Sequence, residues 1–380
     1  MNILWDQFAL MLSVRIVTHN FIFILYNLLK IILKQLVCFG VYMLKMQTLI
    51  PSSSGKRVKA NSYSINKSRL IKLSLLLFLA LILIFPSLAF AGAKNGLLLW
   101  WDTLMPTLLP FMIVSGLIIR LRITRILSYV FYPILKKFLP ISQEGCYPVF
   151  IGFLAGYPVG AKTTADLVLQ SSLNLKEAQL LCAFTNNASP MFVLGYIASA
   201  SLLSPQIGLL LLLILNLASY FSALLIFHFS CRLHRCSTSC VNANEIKNTV
   251  ASPKFQFTML DDAILSAFEV VTKVGGYLVL FSVLASFIRS IPLGNATITA
   301  CLTGILEITT GIQNISILNI PLDVKIVLVT TVTAFGGLSG FAQTKSVISQ
   351  TTLSSSSYIL TKVLSAMIAF ILSSIFVIIT

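Results

Sequence analysis

The sequence predicts an all-α polytopic membrane protein made of two inverted repeats, each carrying a re-entrant hairpin and a broken helix. Three observations lead there. Of 380 residues, 57% are hydrophobic and only 10% are charged, and mean hydropathy is +0.93, whereas soluble domains run near a quarter charged. The apolar residues fall in runs approaching the ~20 residues needed to cross the hydrocarbon. Finally, glycines, prolines and small polar residues interrupt several of these runs at matching places in two halves. The same composition excludes disordered, collagenous and disulfide-framework classes. Net charge is +16, from 27 Lys+Arg against 11 Asp+Glu. These cations sit mostly between apolar runs, as in cytoplasmic loops, so no nucleic-acid partner is expected. Seven cysteines, several inside apolar runs such as Cys182 and Cys301, give no paired framework and are read as free thiols.

Residues 1–66 are an N-terminal extension of unassigned status. Phe21–Leu44 is apolar but carries Lys30 and Lys34, and Pro51–Arg69 is a Ser/Lys-rich linker. A surface helix, an extra span and an over-extended start, with Met43 or Met46 as the real one, are all compatible with it. Residues 67–230 form a first membrane half, 231–262 a basic polar loop and 263–380 a second membrane half. Leu70–Ala91 is the first convincing span. It imitates a secretory signal ending at Ala89-Phe90-Ala91, but its internal position favours a retained helix. The next are Leu104–Ile119, Leu180–Leu203 (broken), Gln206–Phe229, Val270–Ile288, Val324–Phe341 (broken) and Tyr358–Ile379. Arg120, Arg122, Arg125, Lys136 and Lys137 are read as one basic loop, and Arg232, Arg235, Lys247 and Lys254 as another, which leaves orientation open.

Cys146–Ala161 and Ala296–Ile317 are too glycine-rich for ordinary spans. Gly152, Gly156, Pro158 and Gly160 interrupt the first; Gly304, Glu307 and Gly311 interrupt the second. Irregular backbone at membrane depth survives only where protein or a water-filled cavity satisfies it, so both are expected to be re-entrant hairpins. An offset of 151 residues aligns Gly160 with Gly311 and Ala183-Phe184 with Ala334-Phe335. The order span, hairpin, broken span, long span then recurs in both halves. Paired interruptions of this kind point to a transporter binding site.

The polar groups at the interruptions are the candidate site. Thr185-Asn186-Asn187-Ala188-Ser189-Pro190 breaks an apolar helix and offers amide ends and Asn donors to an anionic or polar ligand. Interhelical packing by small polar residues is the competing explanation. In the second half, Gly336, Gly337, Ser339, Gly340 and Gln343 make the matching break, with close helix packing as the alternative. Glu307 is an ionisable group in an apolar hairpin, hence a proton or cation partner by default. Lys162 is its candidate counter-charge or an anion anchor, unless it snorkels to the interface. Glu269 and Lys273, spaced i, i+4, are expected to pair with each other.

Enzyme signatures fail. Gly156–Thr163 resembles a phosphate loop, but Ala161 separates Gly160 from Lys162. Gly337-Leu338-Ser339-Gly340 resembles the serine motif of rhomboid proteases, which needs a later histidine; the last one is His234. His228, Cys231, His234, Cys236 and Cys240 cluster in one loop at spacings that fit no standard zinc module, and a solvated loop is the expectation. No catalytic residue, metal or cofactor is expected.

In GFLAGYPVGAKTTADL, AFTNNASPMFVLG, GGYLVLFSVL, ILEITTGI and FGGLSGFAQ, the chain resembles the sporulation integral membrane protein YlbJ family over residues 70–380. That family is grouped with the nucleoside-recognition (Gate) domain proteins, among them spore maturation proteins A and B. The resemblance implies a mother-cell membrane protein that carries dipicolinic acid across the outer forespore membrane for core loading and the spore cortex. It implies substrate-site roles for Asn186, Asn187, Ser189, Gly336, Gly337, Ser339 and Gln343, with Glu307. The family pattern has Cys before the paired Asn and His before Ala-Gln, where this chain has Thr185 and Phe341. A non-enzymatic transporter of a small anionic or polar substrate is therefore expected, in contact with the lipid bilayer and with a second copy or other sporulation membrane proteins. The rivals are a nucleoside carrier and a non-transporting scaffold for cortex assembly.

Overall fold

The computed structural model describes residues 67–233, 255–290 and 295–379. The expectations for residues 1–66, and for His234, Cys236 and Cys240, lie outside the described residues. Every regular element among the described residues is helical. Contacts divide the chain into two compact units, Met1–Leu77 and Phe78–Thr380. The described part of the first is the opening of helix α1 (Lys67–Ile84), and all later helices belong to the second.

The expected span Leu70–Ala91 is not one helix. Pro86 opens α2 (Pro86–Leu99), and Phe85 before it leaves the helical region, at φ −122 and ψ 61. The Pro ring clashes with a helical predecessor. Leu75–Ile84 and Pro86–Leu104 are accordingly bent by 105°. Beyond α2 the chain passes through a π-helical turn, Trp100–Leu104, into α3 (Met105–Arg120).

This α2–α3 rod runs antiparallel along one long helix, α9 (Phe257–Ser290). Ser286 Oγ donates to Leu88 O, Trp100 Nε1 to Val271 O at 2.9 Å, and Arg120 pairs with Asp262 at 3.3 Å. Small residues set the closeness. A Cβ on Gly92 would lie 2.8 Å from Val283 Cα, and one on Gly96 2.9 Å from Val279 Cα. α9 extends well before the expected Val270–Ile288, because no glycine or proline lies between Phe257 and Val270, whereas Pro292 follows close behind its C-terminal end at Ser290. The expected Glu269–Lys273 pair forms, at 2.5 Å.

Residues expected as one basic loop fold instead into α4 (Thr124–Phe138). It is amphipathic, ends on Lys136 and Lys137 beside the negative end of its dipole, and leaves Tyr129, Ile134 and Phe138 exposed. The first glycine-rich segment then forms two short helices, α5 (Cys146–Ala155) and α6 (Val159–Leu169). At 1.5 Å per residue, the ten residues of α5 reach about 15 Å, half the hydrocarbon thickness. α7 (Leu175–Thr185) starts where Asn174 caps it, its side chain accepting from Glu177 N at 2.8 Å. After the Asn186–Pro190 break the chain resumes as a π-helical stretch, Phe192–Ser201, and then as α8 (Gly208–Leu233).

The second half also contains a pair of short helices followed by a broken one. Asn295 caps α10 (Ala296–Leu306), and Glu307 separates it from α11 (Ile308–Ser316). α12 (Leu322–Phe335) and α13 (Gly337–Ile348) are parted at Gly336, and α14 (Ser355–Ile379) closes the chain. Among the described residues, four helical stretches are long and apolar enough to cross a membrane: Pro205–Phe229, Phe257–Ser290, Leu322–Ile348 and Ser355–Ile379. The bent α1–α2 pair would make five. The protein is a multi-pass membrane protein. Cys146, Cys182 and Cys301 are free thiols.

Candidate functional site

In each half the tip of the short-helix pair docks onto the broken helix next in the chain. In the first, Gly156 (φ +75) and Tyr157 form the tip. Tyr157 N donates to Asn187 O at 2.8 Å, and a Cβ on Gly156 would meet Asn187 O and Ser189 N at 2.8 Å. Only glycine combines that left-handed φ with that approach. Lower down, Gly152 and Gly160 both admit Thr185 O, which would stand 2.4 Å from a Cβ on either. In the second half Gly337 (φ +68) faces Ile308 N and Leu306 O, and Gly304 crosses Gly311 backbone to backbone.

The two assemblies meet at a cavity of about 270 Å³. Tyr157 comes from the first tip and Ala188 and Ser189 from the first break. Glu307 and Thr309 come from the second tip, and Ser339, Gly340 and Gln343 from the second break. Tyr196, whose hydroxyl donates to Thr309 O at 3.1 Å, Asp102 and Thr103 complete its polar lining. The Tyr157 ring lies over Gly340, 3.9 Å from where a Cβ would be.

Of the residues singled out in the sequence, Ser189, Glu307, Ser339 and Gln343 line this cavity and Thr185, Asn186, Asn187, Gly336 and Gly337 do not. Gln343 Nε2 donates to Ser339 Oγ at 3.1 Å. Gly336 (φ +81) ends α12, and Gly337 starts α13, whose first turn has no side-chain cap. Thr185 Oγ1 donates to Leu181 O within its own helix. Asn186 is fully buried; its Nδ2 donates to Thr344 Oγ1 and to Tyr358 OH, both at 2.7 Å. Asn187 Nδ2 donates to Phe184 O, and its Oδ1 accepts from Lys362 Nζ at 2.7 Å. The paired asparagines thus tie the first break to α13 and α14 instead of facing the cavity.

Glu307 and Lys162 are not partners. Glu307 is 1% exposed and caps α11: Oε1 accepts from Thr309 N at 3.0 Å, and Oε2 from Thr310 N and Thr310 Oγ1, both at 2.7 Å. Lys162 pairs with Asp166 one turn along α6 and lines a separate cavity of about 260 Å³, with Arg120, Gln170 and Ser266. Spacing alone could not decide this, because the partner of a membrane carboxylate can equally be backbone amides. Glu307→Gln keeps the shape but sets a donor against the Thr310 amide, so it is expected to destabilise the folded protein by about 1–3 kcal/mol. Chemical unfolding in detergent measures it, and unchanged stability would contradict the capping role.

Sequence reasoning missed Tyr157, Asp102 and Tyr196 in the cavity and Lys362 behind it. Tyr157 sits within the GYPVG run, where the glycines are the stronger signal. Lys362 was legible by the rule applied to Glu307: a charge inside the apolar run Tyr358–Ile379.

No family model matches the chain, and no solved structure matches it. It is 28% identical over 306 residues to the sporulation integral membrane protein YlbJ of Bacillus subtilis (strain 168), covering 73% of this chain and 75% of that protein. The chain is similar to this YlbJ protein over most of the length of both. That similarity and the apolar helices support a sporulation membrane protein, with its irregular backbone gathered around one cavity that carries a few polar groups.

Proposed function

We propose that this protein is a YlbJ-family transporter that carries a small polar, anionic solute, dipicolinic acid, across the outer forespore membrane, for spore core loading and cortex formation. One observation carries the reading: helix breaks from both halves converge on a single cavity. Its volume of about 270 Å³ lies at the small end of ligand pockets. Two halves that each supply a helix pair and a broken helix to one midplane site are the arrangement expected of inverted-repeat transporters, with α5–α6 and α10–α11 as the re-entrant hairpins. Anion binding is supported by α13, which begins beside Ser339 without a side-chain cap, so its dipole presents a positive end there. Tyr157, Tyr196 and Gln343 add polar groups and ring faces suited to a small aromatic acid.

A neutral nucleoside is the second reading. It is favoured by the carboxylates of Asp102 and Glu307 in the lining, which can accept from sugar hydroxyls. Uptake of labelled dipicolinate into proteoliposomes, with uridine in parallel, tests both. Saturable dipicolinate uptake is the expected result. Uridine uptake alone would transfer the proposal to nucleosides, and uptake of neither would leave the non-transporting scaffold.

A further inference from the structure

The cavity lining contains two carboxylates and no lysine or arginine. Among the described residues the one buried cation is Lys362, 5% exposed, on α14. No carboxylate lies within ion-pair distance of it among those residues. A membrane-buried ammonium without a carboxylate is an expensive arrangement, and it marks function by default.

Its surroundings are those of a cation seat. α7 ends at Thr185, so the negative end of that half-helix faces the break. Lys362 Nζ donates to the amide oxygen of Asn187 at 2.7 Å and stands 5.8 Å from the centre of the Tyr358 ring. The neighbouring amide oxygen, Asn186 Oδ1, is fully buried and has no hydrogen-bond partner among the described residues. Half-helix C-terminal ends and unwound backbone are where broken-helix transporters hold a coupling cation. The seat adjoins the cavity wall, because the backbone carbonyl of Asn187 accepts from Tyr157 N and Ser189 lines the cavity.

We propose that the Lys362 ammonium is a built-in cation occupying the coupling-ion position of the first break, making the protein independent of sodium and balancing an anion in the adjoining cavity. The second clause rests on the transport reading; the cation seat itself does not. Charged groups on the helices packed against α14 do not compete for the role. Lys176 and Glu177 lie in the first turn of α7, at the end opposite the break, where Glu177 accepts from Ser142 N and Ser142 Oγ. Asp323 and Lys325 lie at the start of α12, where Lys325 is held by Ser316 O, and His228 of α8 is bonded to Leu224 O. The titratable side chains left around the ammonium are the Cys182 thiol of α7 and the Tyr358 phenol of its own helix.

The test uses the purified full-length protein. Thermal unfolding of the parent is expected to be the same in sodium chloride and in choline chloride of equal ionic strength. Lys362→Ala is expected to unfold at lower temperature and to recover as propylammonium chloride is titrated in, and Lys362→Arg to behave like the parent. A parent stabilised by sodium over choline would overturn the proposal, as would a Lys362→Ala protein that unfolds like the parent and ignores the amine. Should Lys362→Ala not fold, Lys362→Gln keeps a donor for Asn187 without the charge. It is expected to lose at least tenfold in pyridine-2,6-dicarboxylate uptake in proteoliposomes, and parental uptake would overturn the counter-charge role. A parent that shows the unfolding pattern but takes up no dicarboxylate would instead defeat the transport reading and leave the cation seat standing.

Discussion

Gly311→Val is expected to remove the folded protein. A Cβ at this position would lie 2.0 Å from Gly304 Cα and 2.6 Å from Gly304 N, so α10 and α11 touch through their backbones and no side chain can turn aside. Separating them displaces the Thr309 and Thr310 amides from the Glu307 carboxylate and opens one wall of the cavity. Overpacking of a site that cannot relax costs about 3 kcal/mol or more. Gly304→Ala should be milder, because its Cβ would meet the side chain of Val332, at 2.7 Å, before any backbone of another helix. Fluorescence-detected size exclusion of tagged variants checks both. A monodisperse Gly311→Val protein at parental yield would show that the two helices can part without loss.

Asn187→Leu is the second large effect. By composition alone an apolar residue suits the bilayer better than asparagine, which predicts that leucine at both 186 and 187 leaves insertion intact and stops transport. The structure changes that expectation, because Asn187 Oδ1 is the hydrogen-bond acceptor of the buried Lys362 ammonium. Removing one partner of a buried charge costs about 3–5 kcal/mol, since the other remains desolvated. Asn187→Leu should therefore lower the midpoint of chemical unfolding strongly, and Lys362→Met in the same chain should return most of the loss. If the double variant is no more stable than Asn187→Leu alone, the two side chains are not coupled.

What the sequence by itself determined is the class of the protein and the positions at which its helices stop. Hydropathy decides that the chain enters a bilayer, because a membrane accepts apolar surface wherever it lies along the sequence. Local chemistry then sets the breaks at Phe85-Pro86, Gly156–Pro158, Asn186–Pro190, Glu307 and Gly336. Those residues cannot continue a helix, or offer their own side chains to its first amides, whatever surrounds them. Even there local chemistry has limits: the cations of α4 resemble those of a loop, and only its apolar face distinguishes it as a helix.

The tertiary structure alone decided which partners those breaks acquire. Nothing in the spacing says that Glu307 satisfies amides two and three residues ahead of it rather than Lys162, or that Asn186 and Asn187 turn towards α13 and α14. Nor does it say that Ser189, Ser339 and Gln343 open onto one cavity with Tyr157. Apart from the Glu307 cap, these are contacts between groups far apart in sequence, favoured because a polar group buried at membrane depth is costly without a partner in the protein. That criterion can be applied only once the helices are in place, where Asn187 accepts from the buried Lys362 and Asn186 donates to Thr344 and Tyr358.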